Sequence, residues 1–254
     1  MFSLVGKKAL VVGIANRHSI AYGIARALRA QGADIAVTYL NEKAKPFVAP
    51  LATELEAQVF APLDVTDGAQ IDALFDQIAQ SWGRLDTVVH ALAFCPKEDL
   101  HGRVTDCSRA GFLQAMDVSV GSFLHLIRKS EPLMAAGGCV MTVSYYGAEK
   151  VVEHYNIMGP VKAALESVTQ YMAAELGEKG IRVHALSPGP LMTRAASGID
   201  HFDALMAQAA ARAPTHHLAT IEDVGGFAAY LASDEARNVT GGVHYIDGGY
   251  HIVG

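Results

Sequence analysis

The sequence predicts a single-domain α/β fold built on a doubly wound parallel sheet. Three observations carry that prediction. Short apolar runs of β type alternate with helical apolar periodicity along all 254 residues. Hydrophobic residues make up 51% and charged residues only 18%, enough apolar material to bury both faces of a sheet. Glycines number 24, and many fall where a strand must turn into a helix. No linker, low-complexity tract or internal repeat interrupts the alternation.

The same composition excludes several functions. A net charge of −6 and the lack of a dense Lys/Arg run argue against a nucleic-acid partner. Cys95, Cys107 and Cys139 have neither pairing nor metal spacing, which suits reduced thiols in a cytoplasmic protein. The eleven histidines are scattered, and no metal site is predicted. The N-terminus has no signal pattern, and no apolar run approaches the roughly 18 residues of a membrane span. The expectation is a soluble protein with no membrane partner.

In chain order, Ala9-Leu10-Val11-Val12 is the first strand and ends at Gly13. Ser19 and Ile20 then lead into an amphipathic helix through Ile24, Ala27 and Leu28. Strand, glycine turn and helix N-terminus form a dinucleotide-binding unit, in which free N–H groups meet a pyrophosphate. The Ser19 hydroxyl is expected to cap that helix or bond a phosphate. The second strand covers 34–39, and the residues past it, Leu40 and Asn41, include neither an acid nor an arginine. That favours NADH over NADPH. A helix over 47–57 and a strand over 58–63 follow, closed by Asp64-Val65. Asp64 is expected to cap the next helix, 69–82, or to bond an adenine amino group. A strand over 85–91 runs into the small apolar segment Ala91-Leu92-Ala93-Phe94-Cys95-Pro96, a floor on which a flat ring can lie. Two helical segments over 108–134 precede a fifth strand through Val140, Met141 and Val143.

The stretch 144–162 carries the chemistry. Tyr145 and Tyr155 are hydroxyl donors at neutral pH and Lys162 is a cation. Tyr155 and Lys162 lie seven residues apart, close to two helical turns, so one face can present both. Pro160 is tolerated only in a first turn, so the helix is expected to begin near Asn156 or Ile157 and to reach Gly180. A sixth strand over 181–186, a long loop, an apolar helical face (Ile199, Phe202, Leu205, Met206), a helix over 221–231 and a last strand at Val243 complete the chain. The loop and the helix after it, 191–212, read as a substrate lid.

Taken together, these residues resemble the short-chain dehydrogenase/reductase superfamily over nearly the whole chain. More narrowly, they are similar to the NADH-dependent bacterial enoyl-acyl-carrier-protein reductases. Ordinary superfamily members separate their tyrosine and lysine by three residues, but position 159 here is glycine. The six-residue gap from Tyr155 to Lys162 is the enoyl reductase arrangement, and Ser144-Tyr145 supplies the partner tyrosine. Gly13-x5-Ser19-Ile20-Ala21, Asp64-Val65 and Thr193-Arg194-Ala195-Ala196-Ser197-Gly198-Ile199 also match in order.

The resemblance implies a Rossmann-like fold that binds NADH along Gly13, Ser19, Ile20, Leu40, Asp64 and Val65. Leu92, Leu191, Met192, Thr193, Arg194 and Ala195 would flank the nicotinamide half, with Lys162 on the ribose. It implies hydride transfer to a trans-2-enoyl thioester, the last reductive step of fatty acid elongation. Tyr155 would be the enolate donor, assisted by Tyr145. Phe94, Cys95, Met158, Ile199, Phe202 and Met206 would form the acyl slot. It also implies a homotetramer and an acyl carrier protein as the substrate's carrier. Asp200, His201 and Asp203 stand where relatives carry basic residues, so coenzyme A is the alternative carrier. Two other readings remain at this stage: a ketone or alcohol oxidoreductase of the same superfamily, and a non-catalytic nicotinamide sensor.

Overall fold

Ala9 and Val11 of the first strand pack into one apolar layer, and Leu10 and Val12 into another. Successive strand side chains point to opposite faces. A strand apolar on both faces therefore needs a sheet covered on both sides. The computed structural model, which describes residues 2–193 and 202–253, has that architecture. Strands β1 (Lys8–Val12), β2 (Asp34–Tyr39), β3 (Val59–Pro62), β4 (Thr87–His90), β5 (Gly138–Val143), β6 (Ile181–Pro188) and β7 (Val243–Ile246) form one sheet in the order 3-2-1-4-5-6-7. The pairings are parallel throughout. The order reverses between β1 and β4, which opens a crevice beyond their carboxyl ends, the usual ligand position in such sheets.

Helices α1 (Ile20–Ala30) and α2 (Lys45–Glu54) cover one face, and α3 (Gly68–Trp82) the other. A short α4 (Lys97–Leu100) follows β4. Helices α5 (Arg109–Met116), α6 (Ser122–Ser130) and α7 (Met158–Leu176) join α3, and α8 (Phe202–Arg212) lies outside. Helix α9 (Ile221–Ala232) crosses α1 with its backbone almost touching. A Cβ on Gly225 would sit 2.5 Å from the Gly23 carbonyl oxygen, and one on Gly23 would sit 2.4 Å from that of Ile221.

Three local expectations need correction. Asp64 does not cap α3; Asp67 does, accepting from the Ala69 and Gln70 amides. Asp64 instead accepts from the Thr66 amide and hydroxyl, and so shapes the turn before the helix. Ser19 occupies the N-cap of α1 but makes no cap bond. Its Oγ accepts from the amides of Ala15 and Asn16, folding the loop back over the end of β1. Finally, one segment does reach spanning length: Arg109–Leu133 is a continuous helical run with a mean hydropathy of 1.3 over 18 residues. Its Ala115, Val120, Phe123, Leu126 and Ile127 are buried in the layer shared with α3 and α7, so it packs as a core helix.

Candidate active site

The crevice beyond β1 and β4 is a cavity of about 450 Å³. Its floor begins at Gly13, whose φ of +112° suits glycine alone. A Cβ there would lie 2.1 Å from the Ala91 carbonyl oxygen. The glycine is thus required by the contact between the ends of β1 and β4, before any ligand is considered. Above it, Ile20 and Ala21 line the cavity at the start of α1. Neither amide bonds another described residue, and the first turn carries no acid. Free N–H groups at the positive end of a helix make a cradle for phosphate.

The opposite wall is built by β5 and α7. Tyr145, Tyr155 and Lys162 converge on the cavity together with Ser144, Met158, Pro188, Gly189, Pro190 and Leu191. Tyr155 precedes α7 rather than standing on it, between His154 and Asn156, whose φ angles are +63° and +45°. Such left-handed residues hold a tight turn, and strain of this kind collects at functional sites. The Asn156 side-chain amide donates to the Leu100 carbonyl at 2.6 Å, tying that turn to the loop across the cavity. Gly147 makes room for the Tyr155 ring, which lies 2.5 Å from where a Cβ would stand. The rings of Tyr145 and Tyr155 meet edge to face at 4.9 Å. Burial pushes both phenols up, so they remain proton-bearing donors. The Tyr145 hydroxyl is buried and has no partner among the described residues.

Lys162 is buried and donates to the Val143 carbonyl at 2.6 Å. An ammonium has three protons, so two remain for a ligand. Burial pushes it down to about 8, and Glu166 acts in the opposite sense. The arrangement fits a nicotinamide dinucleotide: amides for its phosphates, an ammonium for its ribose hydroxyls, and Ala91, Leu92 and Ala93 as a floor for its ring. Helix α7 also excludes the alternative tyrosine–lysine spacing. A Cβ at Gly159 would approach the Gly147 carbonyl oxygen to 2.9 Å, so no lysine fits there.

Gly13, Ser19, Ile20, Leu92, Phe94, Cys95, Tyr145, Tyr155, Met158, Lys162, Leu191, Thr193 and Phe202 all line this cavity. Met192 lines a neighbouring cavity with Arg17, His18 and Arg26. Leu40 is exposed at the end of β2, and neither it nor Asp64, Val65 or Met206 reaches the main cavity. Arg194, Ala195 and Ile199 lie outside the described residues. Sequence reasoning missed Lys97 and Leu100, on the short helix α4, and Pro188 to Pro190 at the end of β6. The Ser-Pro-Gly-Pro run at the end of an apolar strand was the available signal.

A polar brace beneath the floor was also missed. Fully buried His90, the last residue of β4, bonds Thr142 Oγ1 through Nδ1 at 2.9 Å and Ser122 Oγ through Nε2 at 2.8 Å. Ser122 donates its own proton to the Val118 carbonyl at 2.6 Å. With the Nε2–H tautomer the ring donates to Ser122, and the single Thr142 proton is divided between Nδ1 and the His90 carbonyl, which it reaches at 3.2 Å. Burial pushes the imidazole down to about 3, so it stays neutral. Thr142 comes from β5, and Ser122 directly follows a π-helical turn, Asp117–Gly121, that contains Val118. Ser119 of the same turn accepts from the Phe94 amide at 3.2 Å.

Comparison with known proteins identifies the family. The family model described as enoyl-(acyl carrier protein) reductase matches residues 13–251. The chain belongs to that family. It is 48% identical over 98% of its length to enoyl-[acyl-carrier-protein] reductase [NADH] 1 of Rhizobium meliloti, covering 92% of that relative. The reductase from Anaplasma phagocytophilum, solved in complex with NAD, superposes with a TM-score of 0.96 at 47% identity, covering 100% of this chain and 97% of the other. That of Bacillus cereus, solved with NADP+ and indole naphthyridinone, gives a TM-score of 0.97 at 42% identity over the full length of both chains.

Proposed function

We propose that this member of the enoyl-(acyl carrier protein) reductase family reduces the trans-2 double bond of an enoyl thioester with NADH. The observation that carries the reading is the convergence of Tyr155, Lys162 and the Tyr145 hydroxyl, unpartnered among the described residues, on one cavity lined also by Met158 and Phe202. When bound, NADH would supply a hydride to the β-carbon; electron density moves to the thioester oxygen, and a proton added at the α-carbon completes the reduction. Tyr155 donates a hydrogen bond to that oxygen, where charge grows in the transition state. Tyr145 fixes the oxygen's approach from beside it. Lys162 holds the cofactor's ribose hydroxyls, the Ile20 and Ala21 amides receive its phosphates, and the apolar walls keep water from the enolate. Relatives named for NADH, and the lack of an arginine past β2, support NADH over NADPH.

The same reading makes 191–212 a lid over the acyl slot and places the protein in the cytoplasm, where its three thiols stay free. It also makes the protein a homotetramer. Exposed Phe112 and Leu113 on α5, Leu124 on α6 and Tyr171 on α7 offer apolar surface for such assembly.

The carrier is acyl carrier protein, as the names of the relatives suggest. Asp203, exposed in the first turn of α8, sets a negative charge where an acidic carrier would dock. NADH oxidation with the same trans-2-enoyl chain on acyl carrier protein and on coenzyme A tests this. The protein-borne thioester is expected to give the higher kcat/KM, and Asp203→Lys to raise it further for that substrate alone. Faster turnover of the coenzyme A thioester would contradict the carrier assignment.

A further inference from the structure

Glu166 lies on α7 one turn beyond Lys162, and the reaction just described gives it no part. Residues four apart share a helix face. Both are buried, with only 8% of Glu166 and 4% of Lys162 exposed. Two consecutive residues at the end of β5 hold them. The Val143 carbonyl accepts from Lys162 Nζ at 2.6 Å, and the Ser144 hydroxyl donates to Glu166 Oε1 at 2.5 Å. A carboxylate placed this deep is costly unless a partner answers its charge.

We propose that Glu166, pinned by Ser144, is a positioning residue that keeps Lys162 cationic and so sets the alkaline limit of NADH binding. The inference rests on the reading that Lys162 holds the ribose hydroxyls. Burial removes water from the ammonium and pushes it down to about 8; the Glu166 carboxylate is what opposes that push. Glu166 itself is drawn up by burial, while Ser144 and Lys162 hold its ionised form.

The other groups facing the pair do not titrate between neutral and moderately alkaline pH. His90, from β4, is pushed down to about 3. Tyr155, ahead of α7, and Tyr245, from β7, are both pushed up. Glu149, exposed in the loop after β5, adds negative charge that raises Glu166 further. Lys162 is charged below its midpoint, so NADH binding is strong on the acid side and falls as pH rises through it.

The test is NADH affinity, followed by nucleotide fluorescence from neutral to alkaline pH, in the wild type, Glu166→Gln and Glu166→Asp. Glu166→Gln keeps the shape and the Ser144 contact but removes the charge. Its midpoint of lost binding is expected to move down by roughly one pH unit, with affinity on the acid side retained. Glu166→Asp is expected to restore most of the wild-type midpoint. A glutamine variant with the wild-type midpoint, or one weakened equally at every pH, would overturn the proposal. Should that variant fail to fold, Ser144→Ala releases the carboxylate, and a smaller shift in the same direction is expected; an unmoved midpoint would overturn the proposal equally. A wild type that does not bind NADH would sink the functional reading, and this inference with it.

Discussion

Tyr145 illustrates how a residue can serve a site at the expense of the fold. Its hydroxyl is buried without a partner among the described residues. An unsatisfied buried polar group costs about 1–3 kcal/mol, a cost that falls on the ligand-free protein. Tyr145→Phe removes the orphan and keeps the edge-to-face contact with Tyr155. The variant is expected to melt higher in the absence of ligands while kcat/KM for the enoyl thioester falls. A thermal melt and a turnover assay on the same preparation check both halves. A variant less stable than the wild type would show that the hydroxyl is satisfied after all. Gly159 makes a complementary point at the same scale. Its missing side chain admits the Gly147 carbonyl, and that one contact separates this site from one with a three-residue tyrosine–lysine gap.

Among the elements, the π-helical turn between α5 and α6 deserves its irregularity. An extra residue in the turn shifts the register of hydrogen bonding. Here the resulting loop sends Ser119 to the Phe94 backbone, and Ser122 just beyond it reaches His90. The cavity floor is thereby fastened to the helix layer beneath it. Ser122→Ala leaves the His90 Nε2 buried without a partner and is expected to destabilise the protein by about 1–3 kcal/mol. Urea denaturation measures that directly, and a change below about 0.5 kcal/mol, the range of ordinary surface substitutions, would contradict the brace. None of this was legible beforehand. Ser119 and Ser122 look like ordinary helix residues, because their partners, Phe94 just past β4 and His90 at its end, lie 25 and 32 residues away and meet them only once the sheet has formed. Asp64 failed as a helix cap for a more local reason. Two acids three residues apart can each cap α3, and the turn geometry chose Asp67.

For the whole molecule, the sheet was legible because short apolar β-type runs alternate with helical apolar periodicity along the whole chain. Tyr155 and Lys162 were legible as a spacing. The apolar reach of Arg109–Leu133 was underestimated because its charges sit at the ends and on the outer face of a core helix. Two histidines in that apolar interior give the fold a built-in acid sensitivity. Burial pushes His90 and His184 down to about 3 from an ordinary 6.5. The unfolded chain therefore binds more protons between those values, and stability falls as pH drops through that window. At about pH 5 the loss is on the order of 2 kcal/mol per histidine relative to neutral pH. Denaturant midpoints at neutral pH and near pH 5 are expected to differ accordingly, and His90→Gln is expected to narrow the gap. Equal slopes with pH in both proteins would assign the acid loss to other groups.

The central claim is that Tyr155 stabilises charge that appears only during reduction. Single-turnover oxidation of bound NADH by a trans-2-enoyl thioester, compared between the wild type and Tyr155→Phe, tests it most directly. The account predicts NADH affinity within about twofold of the wild type and a reduction rate lower by on the order of 10²–10³. A phenylalanine variant that reduces the thioester at the wild-type rate would contradict it.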